Sequence, residues 1–191
     1  MATGKWNQVA KLESADPSLD YFGWEVAIAD ERIAVTVPRV SGPTGQVHVY
    51  QRNASGQWQP ETILTPVGGQ DDDFFGGSVA ISGPYIVVGA LRDNVRANGA
   101  GAVYVFERSG AGDWTQVDLL YSNSSETNQA FGAAVAIDDG SALIGAPGDP
   151  TNGASAGAAY FFEHSSSGRA SGCRTSTTAT ARILHSRETR W

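Results

Sequence analysis

The chain repeats itself. Phe-Gly occurs at Phe22-Gly23, Phe75-Gly76 and Phe131-Gly132, spaced 53 and 56 residues apart. Trp6, Trp58 and Trp114 keep the same step, as do Gly45, Gly101 and Gly157. A period of this length marks one supersecondary unit copied along the chain, each copy burying its apolar surface against its neighbours. The repeated part of the 191-residue chain must therefore fold as a row of similar small units.

The middle unit is the plainest. "GSVAIS" reads as a strand, "GP" as a turn and "YIVVGA" as a second strand, which makes a tight hairpin. A polar, glycine-rich stretch, "LRDNVRANGAG", leads to a third strand, "AVYVFER". The turn "SGAGD" then leads to a fourth, "WTQVDLLY". No helical periodicity separates them. The second and third strands are continuously apolar, which predicts burial on both faces. Blades of a β-propeller, each lying between two neighbours, meet that requirement. The expected fold is all-β, with about three blades of four antiparallel strands forming a partial propeller. Units fall near 22–64, 75–120 and 131–163, with a strand at 6–12 from a preceding or closing blade. Gly89 and Gly145 are expected where strand backbones crowd. Trp58 and Trp114 open the outermost strands, where a large ring would cover the blade edge.

Phe-Gly, a Val-Ala-Ile strand, a short turn, an Ile/Val strand and Gly-Ala-Pro together resemble the FG-GAP repeat. The third unit, with Phe131-Gly132 and Gly145-Ala146-Pro147, matches best; the second has Leu91 for proline, and the first is degenerate at Thr36-Val37-Pro38. The resemblance covers roughly Gly4 to His164. It implies an integrin α-like propeller of the kind found in bacterial surface proteins, non-catalytic, adhesive and extracellular or on the cell surface. Members of that family often hold calcium in an Asp-rich loop inside the first hairpin. Calcium needs six to eight oxygens. Here the turns are Asp30-Glu31, Ser82-Gly83-Pro84 and Asp138-Asp139-Gly140, too short to surround an ion, so no metal and no cofactor are expected.

Residues 1–164 carry 8 Lys/Arg against 19 Asp/Glu, a net of −11. That acidity argues against nucleic acid, which draws on clustered basic residues. No run is long and apolar enough for a signal peptide or a membrane span, so no membrane insertion is expected. Cys173 is the only cysteine, which rules out an intrachain disulfide. His48, His164 and His185 are scattered and match no catalytic motif; His48 reads as a packing residue in a strand. Asn53-Ala54-Ser55 and Asn123-Ser124-Ser125 fit the N-glycosylation pattern in turns.

Binding in such a fold belongs to the long loops at one rim, here "PRVSGPTGQ", "LTPVGGQDDDFFG", "ALRDNVRANGAG" and "APGDPTNGASAGA". The candidate ligand-binding residues are Arg39, Asp71, Asp72, Asp73, Arg92, Asp93, Arg96 and Asp149. The expected partner is a protein or a glycan. Whether the Asp71-Asp72-Asp73 cluster binds a cation is left open.

Three blades are fewer than the four to eight of known propellers. An open arc leaves a bare face of roughly five or six large apolar side chains, forgoing on the order of 10 kcal/mol of burial. The chain is therefore expected to be a fragment of a larger propeller, or to self-associate through its open faces. Residues 165–191, poor in apolar residues and rich in Ser, Thr and Arg, read as a disordered or aberrant tail. A slipped reading frame is one account of why the repeat pattern stops there.

Overall fold

The computed structural model describes residues 4–14, 16, 21–38, 44–124 and 126–164. Among them the protein is all-β, with eleven strands in three antiparallel sheets. Sheet one runs in the order β1 (Val26–Ala29), β2 (Arg32–Val37), β3 (Gln46–Arg52), β4 (Trp58–Leu64). Sheet two is β5 (Phe75–Ser82), β6 (Tyr85–Ala90), β7 (Ala102–Arg108), β8 (Trp114–Leu120). Sheet three holds β9 (Ala134–Asp138), β10 (Ser141–Ala146) and β11 (Ala158–Glu163), with β10 in the middle. Each is a meander in which neighbours in sequence are neighbours in the sheet. These are propeller blades, and the three form part of a propeller.

Local chemistry sets the hairpins. Asp138 pairs with Ser141 across Asp139 and Gly140, both with positive φ (41° and 77°), the mirror-image turn that matches strand twist. Ser82 pairs with Tyr85 across Gly83 (φ 53°) and Pro84. The ladder of β3 and β4 slips by one residue between Val49 and Tyr50, and that of β7 and β8 slips between Val105 and Phe106. Pro60 is tolerated because β4 is an outer strand, where a missing N–H costs no ladder bond on the open side.

The middle blade is buried on both faces, as its continuous apolar strands require. Ile86, Val88, Tyr104 and Phe106 join Ala34, Val47, Val49 and Leu64 of the first blade in one core. Val87 and Val103 point the other way, into a second core with Phe131, Ile144 and Ala146 of the third blade. The end blades are buried on one side only. Val26 and Ile28 in β1 are 63% and 68% exposed, whereas the equivalent Val79 and Ile81 in β5 are each 8% exposed.

The repeated Phe-Gly has a mechanical role at each seam. Phe75 lies edge-on to Tyr104 and Phe106, with centroids 5.3 and 6.1 Å apart, and Phe131 repeats the geometry on Tyr160 and Phe162 at 5.3 and 6.0 Å. Each phenyl ring thus packs into its own blade. The glycine that follows takes φ near +90° (Gly76 90°, Gly132 87°) and turns the backbone onto the preceding blade. The carbonyl of Gly132 comes so near Gly89 that an added Cβ would lie 2.1 Å from it, and the Ser78 hydroxyl donates to the same carbonyl at 2.8 Å.

Two expectations are corrected. Residues 6–12 form no strand, and Trp6 and Val9 are fully exposed. Trp58 and Trp114 pair with strands of their own unit, whereas residues 6–12 do not add to the third sheet at β11, and an outer strand gains its hydrogen bonds only from a neighbour. Gly145 is not crowded: the nearest atom to an added Cβ is that of Ala134 at 3.5 Å. The crowding at Gly89 comes from the following blade, and among the described residues none follows β9–β11.

Gly89→Ala must push the seam apart. Urea unfolding is expected to show a loss of about 3 kcal/mol, the upper end for overpacked cores; a loss below about 1 kcal/mol contradicts the close approach.

Candidate functional site

Because strands alternate in direction, the links between blades and those between second and third strands gather at one rim. The loops 65–74, 91–101, 121–133 and 147–157 lie there, bound to one another through the backbone. The Arg92 amide donates to the Asp73 carbonyl at 3.1 Å. Those of Asn128, Ala130 and Phe131 donate to the carbonyls of Asn98, Gly99 and Ala100 at 2.8, 3.1 and 2.9 Å. The second-to-third-strand loop of the second blade is thereby tied to its own blade's entry and laced to the entry of the third.

The expected ligand residues divide into two groups. Asp73, Asp93 and Asp149 are buried, with at most 3% exposure, and face the loops that carry them. Asp93 accepts from the Val95 amide at 2.9 Å and the Tyr104 hydroxyl at 3.1 Å. Asp149 accepts from the Thr151 amide at 2.9 Å, from Gln129 Nε2 at 3.3 Å and from the Tyr160 hydroxyl. They brace their loops because a turn of this length leaves backbone amides that only a buried acceptor can satisfy. Asp71, Asp72, Arg92 and Arg96 are exposed. Arg39 lies outside the described residues.

Burial would raise the Asp149 carboxyl, but hydrogen bonds from Thr151 and Tyr160 outweigh it and hold the group below the ordinary carboxylate range. Asp73 behaves oppositely. Burial pushes it up, the Gln70 amide (2.6 Å) opposes this, and the charges of Asp93, Asp71 and Asp72 add to the rise. Its Oδ1 is buried without a hydrogen-bond partner. The reason lies in the repeat. Asp73, Asp93 and Tyr104 correspond to Gln129, Asp149 and Tyr160, each 56 residues on. Where the third blade sets an amide donor against its aspartate, the second sets another acceptor. No three His, Cys, Asp or Glu side chains converge on a metal-sized site among the described residues, so this is a pair of acids sharing one buried corner.

The two exposed arginines are stacked. The Arg92 guanidinium lies 5.2 Å from the centroid of Phe74, and that of Arg96 lies 4.9 Å from Tyr121. Phe74 also meets Trp24 edge-on at 5.6 Å, and Trp24 meets Tyr21 at 6.0 Å. Tyr21 and Trp24 are 64% and 49% exposed. Tyr21, Trp24, Phe74 and Arg92 thus make a continuous aromatic–cationic surface across the first and second blades. Tyr21 and Phe74 hold positive φ (63° and 60°), a backbone state unusual for bulky residues and set here by the Phe-Gly turn that each precedes. Reading the long loops alone missed Tyr21 and Trp24, because they flank the first Phe-Gly and look like strand residues. Their phase does reveal them: Tyr21 occupies the Phe74 position of its unit.

Elsewhere, Glu61 accepts from Arg32 Nε at 3.2 Å and from Arg108 Nε at 2.6 Å, tying the first two blades at the opposite rim. His48 lies edge-on to Phe22 at 5.4 Å with Nε2 buried and unpartnered; burial lowers its pKa and the Asp16 charge opposes this. Asn53 is exposed at a turn, its Oδ1 accepting from the Ser55 and Gln57 amides at 3.0 and 2.9 Å; Ser125 of the second glycosylation pattern lies outside the described residues. Among the described residues no helix is long and apolar enough to cross a membrane.

Antiparallel blades of four, four and three strands among the described residues, seamed by Phe-Gly turns, define the class as a propeller-type repeat module. The family model of the FG-GAP repeat matches residues 58–106 and 114–162, just over half of the chain. The protein belongs to the FG-GAP repeat family. No curated protein matches it.

Asp73→Asn removes the buried charge and supplies the donor that Gln129 provides one blade on. A raised carboxyl stabilises the fold below its unfolded pKa of about 4 and loses that contribution as pH rises through the folded value. The variant is therefore expected to be more stable than the wild type near neutral pH by about 1 kcal/mol in urea unfolding, the gain shrinking toward pH 4. Lower stability of the variant at neutral pH would contradict the acid pair.

Proposed function

We propose that the protein is a non-catalytic recognition module that binds a protein partner through the loop rim, with Arg92 and Arg96 as anchors. The observation that carries this reading is the pair of exposed guanidiniums, each held over an aromatic ring. A flexible arginine loses rotamer freedom on binding, and one stacked beforehand has less to lose. Arg, Tyr and Trp are also the residues in which binding energy concentrates at protein interfaces. Both arginines stand on an acidic chain, so they and the adjoining Asp71 and Asp72 form a local patch of mixed sign suited to a polar protein surface. Family membership supports an adhesive role outside the cell or on its surface.

The exposed Tyr21 and Trp24 favour a second reading, a carbohydrate ligand stacked on the aromatic rings, with the module acting as a sugar-binding accessory domain.

Protein and glycan arrays probed with the wild type and with Arg92→Ala/Arg96→Ala separate the two. The expected outcome is a protein ligand whose binding weakens by about tenfold or more in the double variant, since one good anchor is worth at least 1.4 kcal/mol. Glycan hits abolished by Trp24→Ala but indifferent to the arginines would replace the first reading with the second. Protein hits that the double variant retains in full would refute the role of the rim.

A further inference from the structure

The seams inside the chain show what covers a blade face, and the two outer faces carry the halves of one more seam. On the leading side of each junction stands a socket. Gly45 takes the Phe75 carbonyl, to which an added Cβ would come within 2.0 Å, and Gly101 takes that of Phe131, within 2.2 Å. The equivalent Gly157 in the third blade meets only Pro147 and Ala146 of its own blade, no nearer than 3.3 Å. Gly145, in the place of Gly89, is likewise free of any following carbonyl. Beside them Leu143 and Phe161, at the positions of Val87 and Val105, are 49% and 56% exposed.

On the trailing side stands a plug, a Phe-Gly turn with two β-branched residues behind it. In the second blade these are Phe75-Gly76 with Val79 and Ile81, which fill the first blade's socket. In the first blade they are Phe22-Gly23 with Val26 and Ile28. Gly23 holds the same φ of 90° as Gly76, yet no atom lies within 4 Å of its added Cβ, and Val26 and Ile28 are exposed. The shaped plug and the shaped socket sit on opposite ends of one arc: the third blade packs on the second through β5 and β6, and so does the first through β5.

We propose that these two faces bind each other between copies of this chain, the first blade of one docking on the third blade of its partner. The contact is heterologous, and such contacts close into a ring when the rotation permits. Two copies use both plugs and both sockets and give six blades, within the range in which propellers close. The occupant is a second copy because the chain itself carries the complementary half in the geometry that its internal seams use.

The test is sedimentation equilibrium of the full chain, with Ile28→Asp to spoil the plug and Phe161→Asp to spoil the socket. Both positions are exposed, so the fold of each variant is retained and checked by circular dichroism. The wild type is expected at twice its 20.0 kDa chain mass, and each variant alone at the single-chain mass. Mixed, the two variants keep one intact plug and one intact socket between them and are expected to recover a two-chain species. A single-chain mass for the wild type, a series extending past two chains, a dimer surviving either substitution, or no complementation on mixing overturns the proposal.

Discussion

Everything in this fold depends on how near one blade's backbone can come to the next. At both internal seams a carbonyl of the Phe-Gly turn presses on a glycine of the preceding blade, at a distance that excludes any Cβ. The glycine is not there to loosen the chain. It removes the side chain that would hold the sheets apart, and the apolar faces behind it then close to packing distance. The phenyl ring of each Phe-Gly, wedged against the third-strand aromatics of its own blade, fixes where that turn stands. Phe and Gly do opposite jobs for one contact: the first anchors the turn inward, the second aims it outward.

From that constraint the unequal character of the three blades follows. The middle one is flanked twice and its core strands are buried throughout; the outer two each have one face that water still reaches. The same difference explains why equivalent residues behave differently. Ile81 and Ile28, or Gly89 and Gly145, occupy the same place in the repeat, yet only the first of each pair meets a neighbouring blade. Stability in such an array is a sum of intrinsic and nearest-neighbour terms, and the second kind is what the end blades lack.

The rim combines a rigid backbone with adaptable tips. Buried aspartates satisfy the loop amides from beneath, and inter-blade backbone bonds stitch the loops together, so the exposed arginines and aromatics project from fixed positions. Substitution of Asp73 for the amide seen at Gln129 places a second acid where a donor would be best accommodated. That departure from the repeat leaves Asp73 Oδ1 unpartnered in the second blade.

Much of this is legible in the sequence alone. The 53- and 56-residue spacings, the uninterrupted apolar strands and the two-residue turns determine a row of antiparallel blades, because each signal is local or simply periodic. Position within the repeat was equally readable, and it makes Tyr21 the equivalent of Phe74 and Gln129 the equivalent of Asp73. What only the tertiary structure decided is which equivalent positions are actually occupied. Trp6 shares the phase of Trp58 and Trp114 but does not add to the third sheet at β11. Asp93 and Asp149 look like rim ligands in a polar loop, yet the loop folds over them because its amides need a buried acceptor. Trp24 sits in a strand-like stretch and still emerges at the surface beside Phe74. Pattern describes a residue's place in its unit; burial and partnership depend on the neighbouring unit, which no single repeat contains.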